Sequence, residues 1–279
     1  MDTTAIFLSL EKRAAQSIKQ EEGDYEKDGL LHCGKCNTPK QCCVEVFGAI
    51  RKPPCLCKCA KEAREKEEEE RRQRELAMQV QRYRRTGFPD SEMENWNFSR
   101  DDGSDPKMTA AMQNYVKNFA TFREQGKGLL LFGDVGTGKT FRAACVANAL
   151  IDAGVPALVT NFARIRNTVQ GLFEGRQEYF DSLNKFPLLV IDDLSTESKT
   201  EYMQEIVYNV IDGRYRAKLP LIVTTNLTRE ELMNPADITY QRIFSRLFEM
   251  CTPIEIAGAD RRHAALKNDI AATKQLLGL

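Results

Sequence analysis

Short apolar runs recur through the last two thirds of the chain, and stretches with helical spacing separate them. The runs occupy residues 128–132, 155–160, 186–193, 219–226 and 251–257. Runs of this length predict buried strands, and apolar positions three and four residues apart predict helices that pack on them. Alternating strands and helices favour a parallel sheet with helices on both faces. We therefore expect an α/β fold here, with further helices at 107–124 and, as one or two segments, at 163–184.

The first third of the chain has a different pattern. Residues 60–85 contain neither Gly nor Pro and mix acidic with basic side chains, which predicts a solvated helix. The Thr-Gly-Phe-Pro-Asp segment at 86–90 ends it. We expect three parts: a small cysteine-rich module at 1–60, a charged helical linker at 61–87 and an α/β domain at 88–279.

Composition narrows the possible functions. Forty basic and forty acidic residues give a formal net charge of zero, so binding partners must be inferred from local clusters of charge. The beginning of the sequence lacks the pattern of a signal peptide, and no apolar run reaches membrane-spanning length. Nine cysteines without a secretory signal indicate the reducing cytoplasm. With only two histidines, catalysis based on histidine is not expected.

One motif lies directly after the first apolar run and before a helical pattern. Residues 133–140, Gly-Asp-Val-Gly-Thr-Gly-Lys-Thr, match G-x-x-x-x-G-K-[ST]. Backbone N–H groups of such a loop surround a polyphosphate at the N-terminus of the following helix. The residues expected to bind ATP are Gly133, Asp134, Val135, Gly136, Thr137, Gly138, Lys139 and Thr140. Lys139 would contact the β- and γ-phosphates, and the Thr140 hydroxyl would ligate Mg²⁺.

Two later strands end in polar side chains. Asp192 and Asp193 follow a buried strand, and Asn226 follows the next one. Ligands bind at the carboxyl ends of parallel strands. We expect Asp192 to hold Mg²⁺, Asp193 to polarise the attacking water and Asn226 to orient that water.

Seven of the nine cysteines lie between residues 33 and 59. The patterns Cys-x-x-Cys at 33–36 and Cys-x-Cys-x-Cys at 55–59 have the spacing of a small zinc module with four thiolate ligands. The four ligands that we expect are Cys33, Cys36, Cys57 and Cys59. Spacing alone leaves Cys42, Cys43, Cys55 and His32 open as alternatives.

Taken together, these motifs carry a family resemblance. The phosphate loop, Val190-Ile-Asp-Asp193, Val223-Thr-Thr-Asn226 and Arg242-Ile-Phe-Ser-Arg246-Leu resemble the AAA+ ATPases of the DnaC/DnaI helicase-loader group. The cysteine module and the charged helix extend the resemblance over nearly the whole chain. It implies a P-loop AAA+ sheet without a full helical lid, which hydrolyses ATP, associates with other copies and loads a replicative DnaB-type helicase onto single-stranded DNA. The N-terminal module would grip the helicase.

The resemblance also assigns roles to individual residues. Asn226 corresponds to sensor 1, Arg246 to an arginine finger for a neighbouring subunit with Arg242 as the weaker candidate, and Arg262 to sensor 2. The helical insertion at 163–184 would contact DNA, and the exposed basic residues expected there are Arg164, Arg166 and Arg176.

Asp193 stands where many such ATPases have Glu, which suggests slow hydrolysis.

Three other classes of protein are alternatives to a helicase loader. IstB-like transposition helpers share the ATPase motifs but act with a transposase. A small-molecule kinase, or an adaptor that does not hydrolyse ATP, would use the same loop.

Overall fold

A computed structural model describes residues 20–46, 48–88, 90–195, 200–260, 270 and 273–277. The chain divides into two compact units, Met1–Ala77 and Met78–Leu279. The division falls inside α1 (Lys58–Gly87), which confirms the predicted solvated helix and is longer than predicted at both ends. Each unit is described by itself.

The first unit contains two small antiparallel hairpins followed by the start of α1. They are formed by β1 (Tyr25–Lys27) with β2 (Leu30–His32) and by β3 (Val44–Val46) with β4 (Ala49–Arg51). Asp28 and Gly29 turn the first hairpin with φ values of 54° and 70°, and such a pair suits a two-residue turn that needs two left-handed residues. Within residues 20–46 and 48–77, only Cys33 and Cys57 are buried. This unit therefore has no hydrophobic core among its described residues.

The second unit is built on a five-stranded, fully parallel sheet, which confirms the predicted α/β class. Its strands are β5 (Gly128–Phe132), β6 (Ala157–Asn161), β7 (Leu188–Asp192), β8 (Leu221–Thr224) and β9 (Cys251–Glu255), in the spatial order β6-β7-β8-β5-β9. The central strands are buried on both faces, as in parallel sheets covered by helices. No helix in the described part of the chain is both long and apolar enough to cross a membrane.

Helices cover both faces of this sheet. They are α2 (Pro106–Lys117), α3 (Phe119–Gln125), α4 (Lys139–Asp152), α5 (Phe162–Gln170), α6 (Arg176–Leu183), α7 (Glu201–Arg216), α8 (Arg229–Met233) and α9 (Ile238–Met250). Alternate residues of β5 and β7 point to opposite faces: Leu130 and Ile191 pack with α5, α7 and α9, whereas Leu131 and Val190 pack with α2 and α4. The sheet therefore lies between two hydrophobic cores.

The helix predicted at 107–124 is interrupted. Asn118 separates α2 from α3 with φ −102° and ψ 18°, and its side-chain amide donates to the carbonyl of Asn114 at 2.9 Å. An asparagine side chain competes with helical hydrogen bonding, and neither Gly nor Pro marks the break in the sequence. The insertion at 163–184 forms two helices, α5 and α6, which was one of the expected outcomes.

A buried arginine fixes the starts of two strands. Arg214 of α7 has no exposed surface and donates to the carbonyls of Phe186 at 2.8 Å and Pro187 at 3.2 Å, and also to that of Pro220. Burial lowers the pKa of Arg214 to about 9, so the guanidinium is still charged at neutral pH. Its hydrogen bonds satisfy carbonyls of the segments that enter β7 and β8.

The strand order determines what lies beside the phosphate loop. That loop follows β5, the two acids lie at the end of β7, and β8 lies between these strands. The end of β8 is therefore flanked by both. Residues after β9, where a helical lid would lie, are described only at 256–260, 270 and 273–277.

Candidate functional site

The phosphate loop needs glycine at its turning positions. Gly133, Gly136 and Gly138 have φ values of 126°, 79° and 90°. A Cβ on Gly133 would lie 2.7 Å from the carbonyl oxygen of Ile256, and one on Gly136 would lie 1.9 Å from Oδ1 of Asp260. Side chains at these positions would therefore clash with these neighbouring atoms as well as strain the backbone of the loop.

The loop lysine is held at the loop itself. Lys139 is 6% exposed, and its Nζ donates to the carbonyls of Gly133 at 2.8 Å and Asp134 at 2.6 Å. Thr137 closes the same turn by donating from its hydroxyl to Asp134 O at 2.9 Å. Charged phosphate oxygens are stronger hydrogen-bond acceptors than neutral carbonyls. The Lys139 ammonium would therefore exchange these carbonyls for the oxygens of a bound polyphosphate.

A buried hydroxyl joins the two acids. Thr224, which is 2% exposed, donates to Oδ1 of Asp192 at 2.6 Å and accepts from the backbone N–H of Asp193 at 2.9 Å. Within the described residues, Oδ2 of Asp192 accepts no hydrogen bond, so that oxygen can ligate a cation. Sequence reasoning missed Thr224, although the polar run at the end of β8 was the available signal.

Asp193 has an unusual backbone conformation. Its φ is +57°, in the left-handed region, and its side chain is exposed. Nδ2 of Asn226 donates to Oδ1 of Asp193 at 3.3 Å. The Asn226 amide, predicted to orient the attacking water, and the Asp193 carboxylate, predicted to polarise it, are therefore neighbours.

These groups line one cleft of about 380 Å³. Its walls are formed by Trp96, Arg100, Asp102, Val135, Gly136, Gly138, Lys139, Thr140, Phe141, Asp192, Asp193, Thr224 and Asn226. A glycine cradle, a lysine, a threonine hydroxyl and an aspartate oxygen fit the needs of a nucleoside triphosphate with Mg²⁺. The structure thus brings the predicted phosphate, magnesium and water residues together.

The arginines expected to complete the site in a neighbouring subunit lie on α9. Nη2 of Arg246 lies 3.0 Å from Oδ1 of Asp212 and donates to the Tyr208 hydroxyl at 3.0 Å. Its guanidinium also lies 4.7 Å from the Tyr208 ring centroid, and its side chain is 23% exposed. Arg242 is exposed, and no described residue pairs with it. Arg246 must therefore leave partners in its own chain before it can reach a neighbour, whereas Arg242 need not.

Arg262 lies outside the described residues, two positions after Asp260. The side chain of Asp260 lies against Gly136 of the phosphate loop.

The insertion presents two of its three arginines to solvent. Arg164 and Arg176 are exposed, whereas Arg166 is half-buried and lines a cavity of about 190 Å³ together with Asp193. The expectation that all three are exposed is therefore wrong for Arg166. Between α5 and α6, Phe173 is fully exposed at 103% of its reference surface. Sequence reasoning missed Phe173; the glycines on both sides of it, Gly171 and Gly175, were the signal.

Four thiols form a cluster in the first unit. The sulfur atoms of Cys33, Cys36, Cys57 and Cys59 all lie within 4.8 Å of one another. The Sγ–Sγ distances are 3.6 Å from Cys33 to Cys59 and 3.4 Å from Cys57 to Cys59. A tetrahedral zinc with Zn–S bonds of about 2.3 Å places its sulfurs about 3.8 Å apart. The four residues chosen from the sequence thus fit a zinc site, and all nine cysteines are unbridged.

Hydrogen bonds stabilise the charged form of two of these thiols. The Thr38 hydroxyl and the Cys59 backbone N–H lower the pKa of Cys36 to about 5, and the N–H groups of Cys36 and Lys35 lower the pKa of Cys33. The pKa of Cys59 is raised to about 12, because its thiol is hydrogen-bonded to the sulfur atoms of Cys57, Cys36 and Cys33. A bound divalent cation would favour the thiolate of Cys59 as well, since metal-ligating cysteines are deprotonated.

The family described as IstB-like ATP binding protein matches residues 61–268 of this chain. Among curated proteins, the replicative helicase loader DnaI of Bacillus subtilis is 28% identical over 182 residues, which are 60% of this chain and 58% of DnaI. A putative insertion sequence ATP-binding protein of Sinorhizobium fredii is 34% identical over 107 residues, which are 37% of this chain and 35% of that protein. The chain thus spans well under two thirds of either relative.

A crystal structure of DnaI superposes with a TM-score of 0.53 and 26% identity, covering 63% of this chain and 95% of the DnaI chain. This likeness agrees with the parallel sheet and its flanking helices.

Proposed function

Because the chain belongs to the family of IstB-like ATP-binding proteins, we propose that it is an ATP-dependent loader of a replicative DnaB-type helicase onto single-stranded DNA in replication initiation or restart. The observation that carries the proposal is the cleft in which the phosphate loop, Asp192, Asp193 and Asn226 meet. A cysteine unit in the same chain supplies a second, separate binding element. A relative named as a replicative helicase loader supports the choice of partner.

The cleft's chemistry is phosphoryl transfer to water. Lys139 would bind the β- and γ-phosphates. Thr140 and Asp192 would hold Mg²⁺, and the ion would supply positive charge beside the phosphate oxygens. Asp193 accepts a hydrogen bond from the attacking water. Asn226, whose amide donates to the Asp193 carboxylate, orients that carboxylate and the water. The Thr224 hydroxyl fixes the Asp192 carboxylate and the Asp193 backbone relative to each other. An arginine of α9 completes the site in a neighbouring copy.

The cysteine unit is the proposed helicase-binding element. Cys33, Cys36, Cys57 and Cys59 would hold the zinc, which would take the place of a hydrophobic core. The two buried residues among those described in this unit, Cys33 and Cys57, both belong to that cluster. Exposed apolar side chains are available for a partner, among them Ile50, which is 73% exposed on β4.

A second candidate is an ATPase that assists a transposase. The 34% identity to a putative insertion sequence ATP-binding protein favours it. The two functions share the nucleotide cleft and differ in the partner protein.

A loading assay on closed circular single-stranded DNA tests the proposal. The full chain, ATP and the replicative helicase of the same organism are mixed with a circle that carries a short annealed strand. We expect the helicase to displace that strand at least tenfold faster with the protein present, since a closed ring cannot thread onto a circle. Lys139→Ala should abolish the stimulation because it removes the phosphate contact.

Two results would count against a helicase loader. One is an unchanged displacement rate with wild-type protein that binds ATP. The other is co-purification with a transposase encoded beside it and not with the helicase, which supports the second candidate.

A further inference from the structure

The nucleotide cleft extends beyond the groups that handle phosphate, metal and water. Its wall includes the phosphate loop, the two acids and the end of β8. It also includes Trp96, Phe141, Arg100 and Asp102, to which the proposed chemistry assigns no role. A triphosphate occupies only part of a nucleotide, so the base and the ribose need a surface of their own.

Trp96 is fixed to the helix that follows the phosphate loop. Asn148 of α4 is 1% exposed, and its Nδ2 donates to the carbonyls of Met93 and Trp96, both at 2.8 Å. Nη1 of Arg84 donates to Oδ1 of Asn148 at 2.8 Å and to the carbonyl of Glu94 at 2.7 Å. Since α4 begins at Lys139, one helix sets the spacing between the tryptophan and the phosphate loop.

The indole is only partly used by packing. Trp96 is half-buried, and its ring centroid lies 5.9 Å from that of Phe141 with 49° between the planes. A hydrophobic core role accounts for the buried part of the ring. It does not account for the part that lines the cleft, where an aromatic surface suits a nucleobase because bases stack on aromatic rings.

We propose that Trp96 binds the base of the nucleotide and is thus a specificity-determining residue of the ATP site. This inference rests on the proposed ATP-binding function. The phosphate loop recognises the triphosphate in any nucleotide, whereas Trp96 distinguishes a nucleotide from a bare polyphosphate.

The chain contains a single tryptophan, so its intrinsic fluorescence reports on this position alone. The full-length protein is titrated with Mg²⁺–ATP and with Mg²⁺–tripolyphosphate, and binding of each is measured independently by calorimetry. We expect both ligands to bind, but only ATP to change the emission of Trp96. Trp96→Ala should weaken ATP binding about tenfold and leave tripolyphosphate binding unchanged.

Two further variants separate contact from structural support. Trp96→Phe keeps an aromatic face and should restore most of the ATP affinity. Phe98→Ala removes a partly buried aromatic residue from the same core, but Phe98 does not line the cleft. The affinities for ATP and for tripolyphosphate should therefore change by the same factor.

The outcomes are separable. Failure of wild-type protein to bind either ligand overturns the proposed ATP function itself. If both ligands bind and change the Trp96 emission equally, or if Trp96→Ala weakens both to the same degree, the base contact is overturned and the ATP function stands.

Discussion

At the scale of single residues, the site depends on partners that are distant in the chain. Thr224 and Asp192 are 32 positions apart, and Arg246 lies 34 positions from Asp212. The sequence motifs predict which residues bind phosphate, because the loop and its neighbours are local. They do not predict which side chains hold those residues in place, since tertiary packing decides those pairs.

Arg246 and Arg242 can be separated by mixing subunits. Arg246→Ala should reduce partner-stimulated ATP hydrolysis by about a thousandfold or more if Arg246 stabilises transition-state charge in a neighbour. Mixing Arg246→Ala subunits with Lys139→Ala subunits should restore hydrolysis. The Lys139→Ala subunits still supply Arg246, and the Arg246→Ala subunits keep an intact nucleotide cleft. Turnover of ATP is measured with the proposed helicase partner and DNA present.

Arg242→Ala is the matched control, one helical turn away and exposed. If Arg242→Ala shows the loss and the rescue while Arg246→Ala hydrolyses ATP normally, the finger is Arg242, and the role of Arg246 is confined to its ion pair with Asp212. Thermal melts of both variants detect any loss of folding from breaking that ion pair.

At the scale of elements, strands were easier to predict than helix interruptions. Each predicted strand overlaps an observed one because apolar runs bounded by polar residues mark a buried strand. The break at Asn118 was missed because its cause is a side-chain hydrogen bond within a continuous helical pattern. Likewise, the burial of Arg166 follows from the packing of α5, which charge and spacing do not reveal.

The segment from α5 to α6 should bind single-stranded DNA in two ways that can be measured separately: phosphate contacts by its arginines and base stacking on Phe173. Arg164→Ala with Arg176→Ala should lower the slope of log K against log salt by about 1.4, since each phosphate contact on a single strand contributes about 0.7. Phe173→Ala should weaken binding by about tenfold without altering that slope, because stacking releases no counterions. Fluorescence anisotropy with a labelled oligonucleotide measures both.

The charge-matched control is Lys117→Ala with Arg123→Ala, which removes two exposed cations from α2 and α3. Equal effects from the two double variants would mean that general electrostatic attraction, and not this segment, binds the DNA.

At the scale of the whole molecule, the two units should differ in what stabilises them. The second unit has two hydrophobic cores, whereas the described part of the cysteine unit has four clustered thiols instead. Purified protein should contain about one zinc per chain. Cys57→Ser with Cys59→Ser should lose the metal and make residues 20–57 sensitive to protease, while ATP affinity stays within about twofold because the second unit folds on its own core.

Cys42→Ser with Cys55→Ser is the control, since these thiols lie in the same unit but outside the cluster. Metal analysis and limited proteolysis should show wild-type behaviour for this pair. Loss of zinc from the control, or its retention by Cys57→Ser with Cys59→Ser, would show that the ligand set is misassigned.

The left-handed backbone at Asp193 has a consequence for how this position can vary. Asparagine, aspartate and glycine adopt such a conformation most readily, while other side chains cost roughly 1–2 kcal/mol there. A library randomised at position 193 and selected for folding alone would therefore retain Gly, Asn and Asp. Selection for ATP turnover would keep the carboxylates, and Asp is the one residue favoured by both. Asp is then the carboxylate that this backbone conformation accepts most readily, and Glu would cost roughly 1–2 kcal/mol unless the preceding strand ended in a different turn.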